Sequence, residues 1–169
     1  YLVLTTGRNK LADMAEIIVQ KGYKRVMVFC NQKYTTAMLA NQMARLNFVV
    51  DCLHGDLSQA ERNKIMGEFK AGNIAVLVAT DVAARGIDVS EVDAVFNYDV
   101  PEENEYYIHR IGRTGRAKRH GVAYTFVSDY GAMVRLDEIA KFTRNAITAV
   151  SVDMEGNLLL RRLGSCYIP

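Results

Sequence analysis

Short apolar runs rich in Val and aromatic residues alternate along the chain with stretches in which apolar residues recur every third or fourth position. The runs at 25–30 (RVMVFC), 48–53 (FVVDCL), 75–80 (AVLVAT), 94–98 (AVFNY) and 122–128 (VAYTFVS) predict strands, with weaker strand candidates at 2–5 and 147–152. Helical spacing at 10–21, 35–46, 58–70, 103–111 and 132–143 predicts the helices between them. Ser58 with Glu61 three residues later reads as a capping box, and Gly72 just past Lys70 as a stop. Repeated strand–helix units predict an α/β fold with a mainly parallel central sheet flanked by helices. No internal repeat or linker interrupts this pattern before about Gly156.

Composition narrows the class. With 169 residues, 50% of them hydrophobic, 24% charged and only two Pro, the chain has the makings of one globular domain and not of a disordered or collagenous polymer. No apolar run is long enough for a membrane span, and no charged segment leads into an apolar one at the start, so a soluble, untargeted domain is expected. Tyr1 stands where an initiator Met is absent, and Leu2, Val3 and Leu4 are already apolar, as expected of a fragment entered at a strand. Cys30, Cys52 and Cys166 are odd in number and lack C-x-x-C spacing, which argues against a disulfide framework or zinc site and favours the cytosol.

Twenty-one Lys and Arg against 19 Asp and Glu leave a net charge of only +2, yet the distribution is uneven. Between Glu105 and Asp129 there is no acid, while Arg110, Arg113, Arg116, Lys118 and Arg119 form a basic island suited to phosphate groups. Ligands of open parallel sheets sit beyond the carboxyl ends of the strands. The loops there read Cys30-Asn31-Gln32-Lys33, His54-Gly55-Asp56, and Thr80 through Asp88 with Gly86 inside. Each alone is also an ordinary strand-to-helix turn, which needs Gly, Asn and Asp for its dihedrals. The segment His109-Arg110-Ile111-Gly112-Arg113-Thr114-Gly115-Arg116 is less ordinary: its arginines recur every third residue between glycines, whereas solvated helix faces mix Glu with Lys and avoid Gly. Its G-x-x-G lacks the surroundings of a KH domain.

Together Val28 to Asn31, His54-Gly55-Asp56 with Gln59 and Arg62, Val78 to Asp88, and His109 to Arg116 resemble the later motifs of DEAD-box RNA helicases, in order and at the expected separation. The resemblance covers about residues 2–152 and is to the second, C-terminal RecA-like domain, a three-layer fold. It assigns residues 1–155 to that domain. His109, where DNA-translocating and DEAH relatives usually carry Gln, favours the DEAD-box group. None of the twelve glycines is followed by Lys, so no G-x-x-x-x-G-K-[ST] phosphate loop is present. Asp137-Glu138-Ile139-Ala140 only echoes the family's name motif, inside an amphipathic helix.

The resemblance implies that ATP lies between this domain and an N-terminal RecA-like domain that holds the phosphate loop and Mg²⁺; no metal site is expected here. It makes Arg113 and Arg116 arginine fingers, gives Asp88 the ribose with Gly86 allowing close approach, and has His109 link the two domains. Arg110 supports the motif; for Arg85 and Arg110 an internal ion pair stands beside direct ligand contact. Backbone contacts to single-stranded RNA fall on Asn31, Gly55 and Thr80, with Arg62 on a phosphate and Gln59 bracing it, a pair otherwise read as a solvated first turn. Such contacts do not read bases. Cys30 and Cys52 read as buried hydrophobes, and His54 and His120 as loop residues. The expected product is half of an ATP-dependent RNA helicase, inactive alone, monomeric, and cytoplasmic or nuclear; the competing readings are a non-catalytic RNA- or protein-binding module and half of a DNA-directed helicase. Residues 156–169 depart from the pattern, as an extension, a docked segment or a non-native tail.

Overall fold

Val26–Cys30 and Val76–Thr80 are buried at every position, because neither face of either strand meets water. A computed structural model, which describes residues 1–89, 91–115 and 120–161, places them at the middle of one half of an eight-stranded sheet. In chain order the elements are β1 (Leu2–Leu4), α1 (Lys10–Lys21), β2 (Val26–Cys30), α2 (Lys33–Arg45), β3 (Val50–Leu53), α3 (Gln59–Ala71), β4 (Val76–Thr80), α4 (Asp81–Ala84), β5 (Ala94–Asn97), α5 (Asn104–Ile111), β6 (Ala123–Val127), α6 (Tyr130–Thr143), β7 (Ala149–Val152) and β8 (Leu158–Arg161). The sheet order is β3-β4-β2-β5-β6-β1-β7-β8, parallel throughout except for the last pair. Helices pack against both faces of the sheet, which gives the three layers that the resemblance implies.

Alternation along β2 divides the core. Val26, Val28 and Cys30 pack with Met14 of α1 and Leu39 and Met43 of α2 on one face. Met27 and Phe29 pack with Ile65 and Phe69 of α3 on the other. A third cluster joins Tyr107 of α5 to Leu136 and Ile139 of α6. Burial pushes the Cys30 thiol up to about 12 and raises that of Cys52, so neither is a ready nucleophile.

Each predicted strand and helix has a counterpart among the described residues, and α3 carries both bonds of the Ser58–Glu61 capping box. Two elements were not anticipated. The stretch 81–84, read as loop, forms α4, whose first turn is capped by the Thr80 hydroxyl accepting from the Ala83 N–H at 3.3 Å. Leu158–Arg161, set apart as tail, pairs antiparallel with β7, so the sheet runs past residue 155. Its companion residues 162–169, with Cys166, lie outside the described residues.

Parallel pairing matters for the site. Leu53 stands beside Ala79, Cys30 beside Thr80 and Phe29 beside Asn97, so the loops leaving β3, β4, β2 and β5 emerge side by side on one edge.

Candidate functional site

α5 begins after β5 and runs its C-terminal turn back across the loop that follows β4. Tyr107 anchors it in the core, and the helical period then carries Arg110 inward and His109 outward. The Arg110 side chain is fully buried, yet all three guanidinium nitrogens are satisfied. Nε and Nη2 donate to the two carboxylate oxygens of Asp81 at 2.7 and 2.6 Å, Nη2 also donates to Asn31 Oδ1 at 2.8 Å, and Nη1 donates to the Asp99 carbonyl at 2.8 Å. Of the two roles open to Arg110, the geometry selects the internal ion pair. Such a pair is costly to break on one side, because the other charge is then left buried.

The partners of Arg110 come from three loops, and this joins them. Asn31 donates its backbone N–H to Asp99 at 3.0 Å and its side-chain amide to the Val100 carbonyl at 2.9 Å. Its side chain and its backbone N–H are therefore both committed within the protein, which leaves its carbonyl for any contact with a strand. Arg85 takes the other course: it is exposed, lies over the Tyr106 ring at 5.9 Å, and makes no ion pair among the described residues.

Arg113 sits one turn beyond, where α5 has ended. Its guanidinium donates to the carbonyls of Ile87, Val89 at 3.4 Å and Ala84 at 3.3 Å, the loop that carries Gly86 and Asp88. Gly86 has φ +75°, the left-handed region that only glycine enters without strain, so the loop can turn its exposed Asp88 outward. Gly86, His109 and Arg113 line two adjoining clefts of about 200 and 490 Å³, and Asp88 lines the larger. A carboxylate acceptor, an imidazole and a guanidinium thus stand around open space. Arg116 lies outside the described residues, as do Lys118 and Arg119 of the basic island.

The five residues assigned to a strand share the neighbouring edge. Gly55 has unexceptional backbone angles, and a Cβ there would meet nothing within 4 Å, so its lack of a side chain answers no need inside the domain. It leaves room for a close approach from outside. The half-buried Arg62 donates Nη2 to the His54 carbonyl at 3.4 Å, while its Nε is buried with no hydrogen-bond partner. An orphaned charged donor of this kind is uncommon and costs free energy until an acceptor arrives. The bracing expected of Gln59 is not made: its amide bonds Asn63 at 2.9 Å, one turn on, and not Arg62. Thr80 and Asn31 line a further cleft with Asp81 and Tyr106. Sequence reasoning missed the Asp81 carboxylate and the Asp99 carbonyl as partners of Arg110, since neither group carries a local sign of what it binds. Among the described residues no cluster of three or more His, Cys, Asp or Glu is placed to hold a metal ion.

Comparison with known proteins identifies the family and the fold. The model of the helicase conserved C-terminal domain matches residues 9–118. The ATP-dependent RNA helicase FAL1 of Saccharomyces cerevisiae is 48% identical over 133 residues, 79% of this chain and 33% of that protein. Eukaryotic initiation factor 4A of Caenorhabditis elegans is 48% identical over 132 residues, 78% of this chain and 32% of its own. The chain thus spans about a third of the length of the curated relatives it matches. Among solved structures, the C-terminal domain of the DEAD-box protein Dbp5 superposes with a TM-score of 0.83 at 33% identity, covering 92% of both chains.

Proposed function

The chain belongs to the DEAD-box RNA helicases, as their C-terminal RecA-like domain, and from that premise we propose that it supplies the half of an ATP-dependent RNA helicase that closes on ATP and grips single-stranded RNA. The observation that carries this reading is the position of Arg110. On one side of its ion pair lie Asn31 and Thr80, the strand-facing loops; on the other lie His109 and Arg113, which face the cleft with Gly86 and Asp88. One buried side chain therefore fixes both sites relative to each other. The Dbp5 of S. cerevisiae that was solved with RNA and ADP BeF3 is 35% identical to this chain, which supports the assignment of both ligands.

In this reading ATP is the substrate, and the phosphate loop and Mg²⁺ belong to an N-terminal RecA-like domain that meets the cleft. Asp88 accepts a hydrogen bond from a ribose hydroxyl. Arg113 exchanges some of its carbonyl partners for phosphoryl oxygens as the domains close, and Arg116 adds a second guanidinium; such fingers raise phosphoryl-transfer rates by about 10³–10⁵. His109 bonds the partner domain. On the adjacent edge Arg62 places its guanidinium on a phosphate, and the backbones of Asn31, Gly55 and Thr80 follow the strand. A monomer and a cytoplasmic or nuclear location complete the proposal, the latter supported by the odd cysteine count and the lack of C-x-x-C spacing.

The test is RNA-stimulated ATP hydrolysis and strand displacement by the complete protein that contains this chain. Hydrolysis that requires RNA and falls on Asp88→Ala supports the reading. RNA binding with no hydrolysis in the complete protein would support a non-catalytic module instead.

A further inference from the structure

Tyr34 is 75% exposed, the most exposed aromatic ring among the described residues. It stands on the first turn of α2, two residues before Thr36, which opens the buried stripe continued by Leu39, Ala40 and Met43. At about 100° per residue the Tyr34 side chain leaves the helix on the side opposite that stripe, away from the sheet. Helical side chains also lean toward the N-terminus of their helix, so the ring leans toward the edge where the strand loops emerge.

Two contacts fix that place more closely. Lys33 lies 3.0 Å from the carboxylate of Asp56 in an exposed ion pair, which shows that the first turn of α2 stands beside the loop carrying Gly55. Asn31, three residues before Tyr34, is held by Arg110 and Asp99. The ring therefore flanks two of the loops assigned to the sugar-phosphate backbone.

We propose that Tyr34 is a stacking platform for a base of the bound strand. The inference rests on the proposed grip on single-stranded RNA and adds to it a contact with a base face. Every base offers a flat π surface, so stacking is tolerant of sequence and compatible with a grip that reads none. Lys33 beside the ring supplies charge for the adjoining phosphate by exchanging its exposed pair with Asp56.

The chain contains no Trp, so Tyr34→Trp installs a single indole at the site. Single-stranded RNA titrated onto this variant is expected to quench its emission, with affinity retained; Tyr130→Trp, exposed at the first residue of α6, is expected to remain unquenched. Tyr34→Ala is expected to keep the wild-type melting temperature, to bind RNA about 5- to 100-fold more weakly, and to bind an abasic ribose-phosphate strand of equal length as well as wild type does. Unchanged indole emission from Tyr34→Trp at saturation measured by anisotropy, or equal affinity of Tyr34→Ala and wild type for base-bearing RNA, would overturn the stacking contact and leave the backbone grip standing. Tyr34 would then be a surface for another kind of partner. Failure of the wild-type chain to bind either strand would overturn the grip itself.

Discussion

Arg110 and Asp81, 29 residues apart in the chain, form a two-pronged ion pair at 2.7 and 2.6 Å inside the domain. The pair fastens the last turn of α5 to the start of α4, and Asn31 and the Asp99 carbonyl occupy two further donors. Arg110→Ala is expected to leave the Asp81 carboxylate half of a broken buried pair and to cost about 3–5 kcal/mol. For a domain of this size that corresponds to a melting temperature about 10 °C lower. Arg110→Lys should not restore it, because one ammonium cannot reach three loops in a planar fork. Urea unfolding of the three proteins measures this; a wild-type midpoint for Arg110→Lys would refute the role given to the fork.

The capping box of α3 predicts a pH dependence. Glu61 accepts from the Ser58 N–H at 2.7 Å, and these bonds with Ser58 hold its carboxyl below the ordinary value of 4.5. A carboxylate with a depressed folded-state pKa stabilises the fold above its unfolded value, and that stability is lost as pH falls through the folded one. Wild type should therefore lose stability below about pH 4.5 through this group, and Glu61→Gln should lack that component of the loss. Ser58→Ala should cost about 0.5–2 kcal/mol at neutral pH. Thermal melts of both variants between pH 3 and 7 check the sign, and parallel curves for wild type and Glu61→Gln would contradict it.

RNA binding by the chain alone should be weak, indifferent to sequence and sensitive to salt, since the grip is on phosphates. Arg62→Ala should reduce the slope of log affinity against log salt by about 0.7, the value for one phosphate contact on a single strand. Fluorescent oligonucleotides titrated at several salt concentrations give both slopes. An unchanged slope would remove Arg62 from the strand-facing edge.

The chain alone should fold yet hydrolyse no ATP, because no Gly-Lys step is present to hold the β- and γ-phosphates. Turnover that persisted through repurification of the 169-residue chain would contradict this.

Much of this fold is legible in local pattern. VMVFC and VLVAT are continuous apolar runs because β2 and β4 are buried on both faces, and the Ser58–Glu61 spacing marks the start of α3. α4 is not legible: four residues are too few to show a helical period, and its cap, Thr80, is also the last residue of β4. β8 is hidden for another reason, since its apolar run becomes a strand only by pairing with β7 at the sheet edge. In the site, the sequence marks which arginines matter but not what each does. Arg110 and Arg113 share one motif, yet the turn between them buries the first on Asp81 and leaves the second against the carbonyls of the Gly86 loop. The distinction depends on contacts over 20 residues distant in the chain, which no local pattern records. Gln59 differs, because the contact it makes is local: its amide bonds Asn63, four residues on along the same helix.

The central claim is that the arginine motif acts on ATP and is not a diffuse basic patch. The most direct measurement is RNA-stimulated ATP hydrolysis by the complete protein carrying Arg113→Ala, Arg116→Ala or Arg119→Ala. Loss of an arginine finger costs about 10³–10⁵ in rate, roughly 4–7 kcal/mol of transition-state stabilisation, far beyond the worth of an exposed charge. The first two variants should therefore lose activity by orders of magnitude while Arg119→Ala stays near wild type. Equal, modest losses in all three would contradict the account, and the roles given to Arg113 and Arg116 would fall with it.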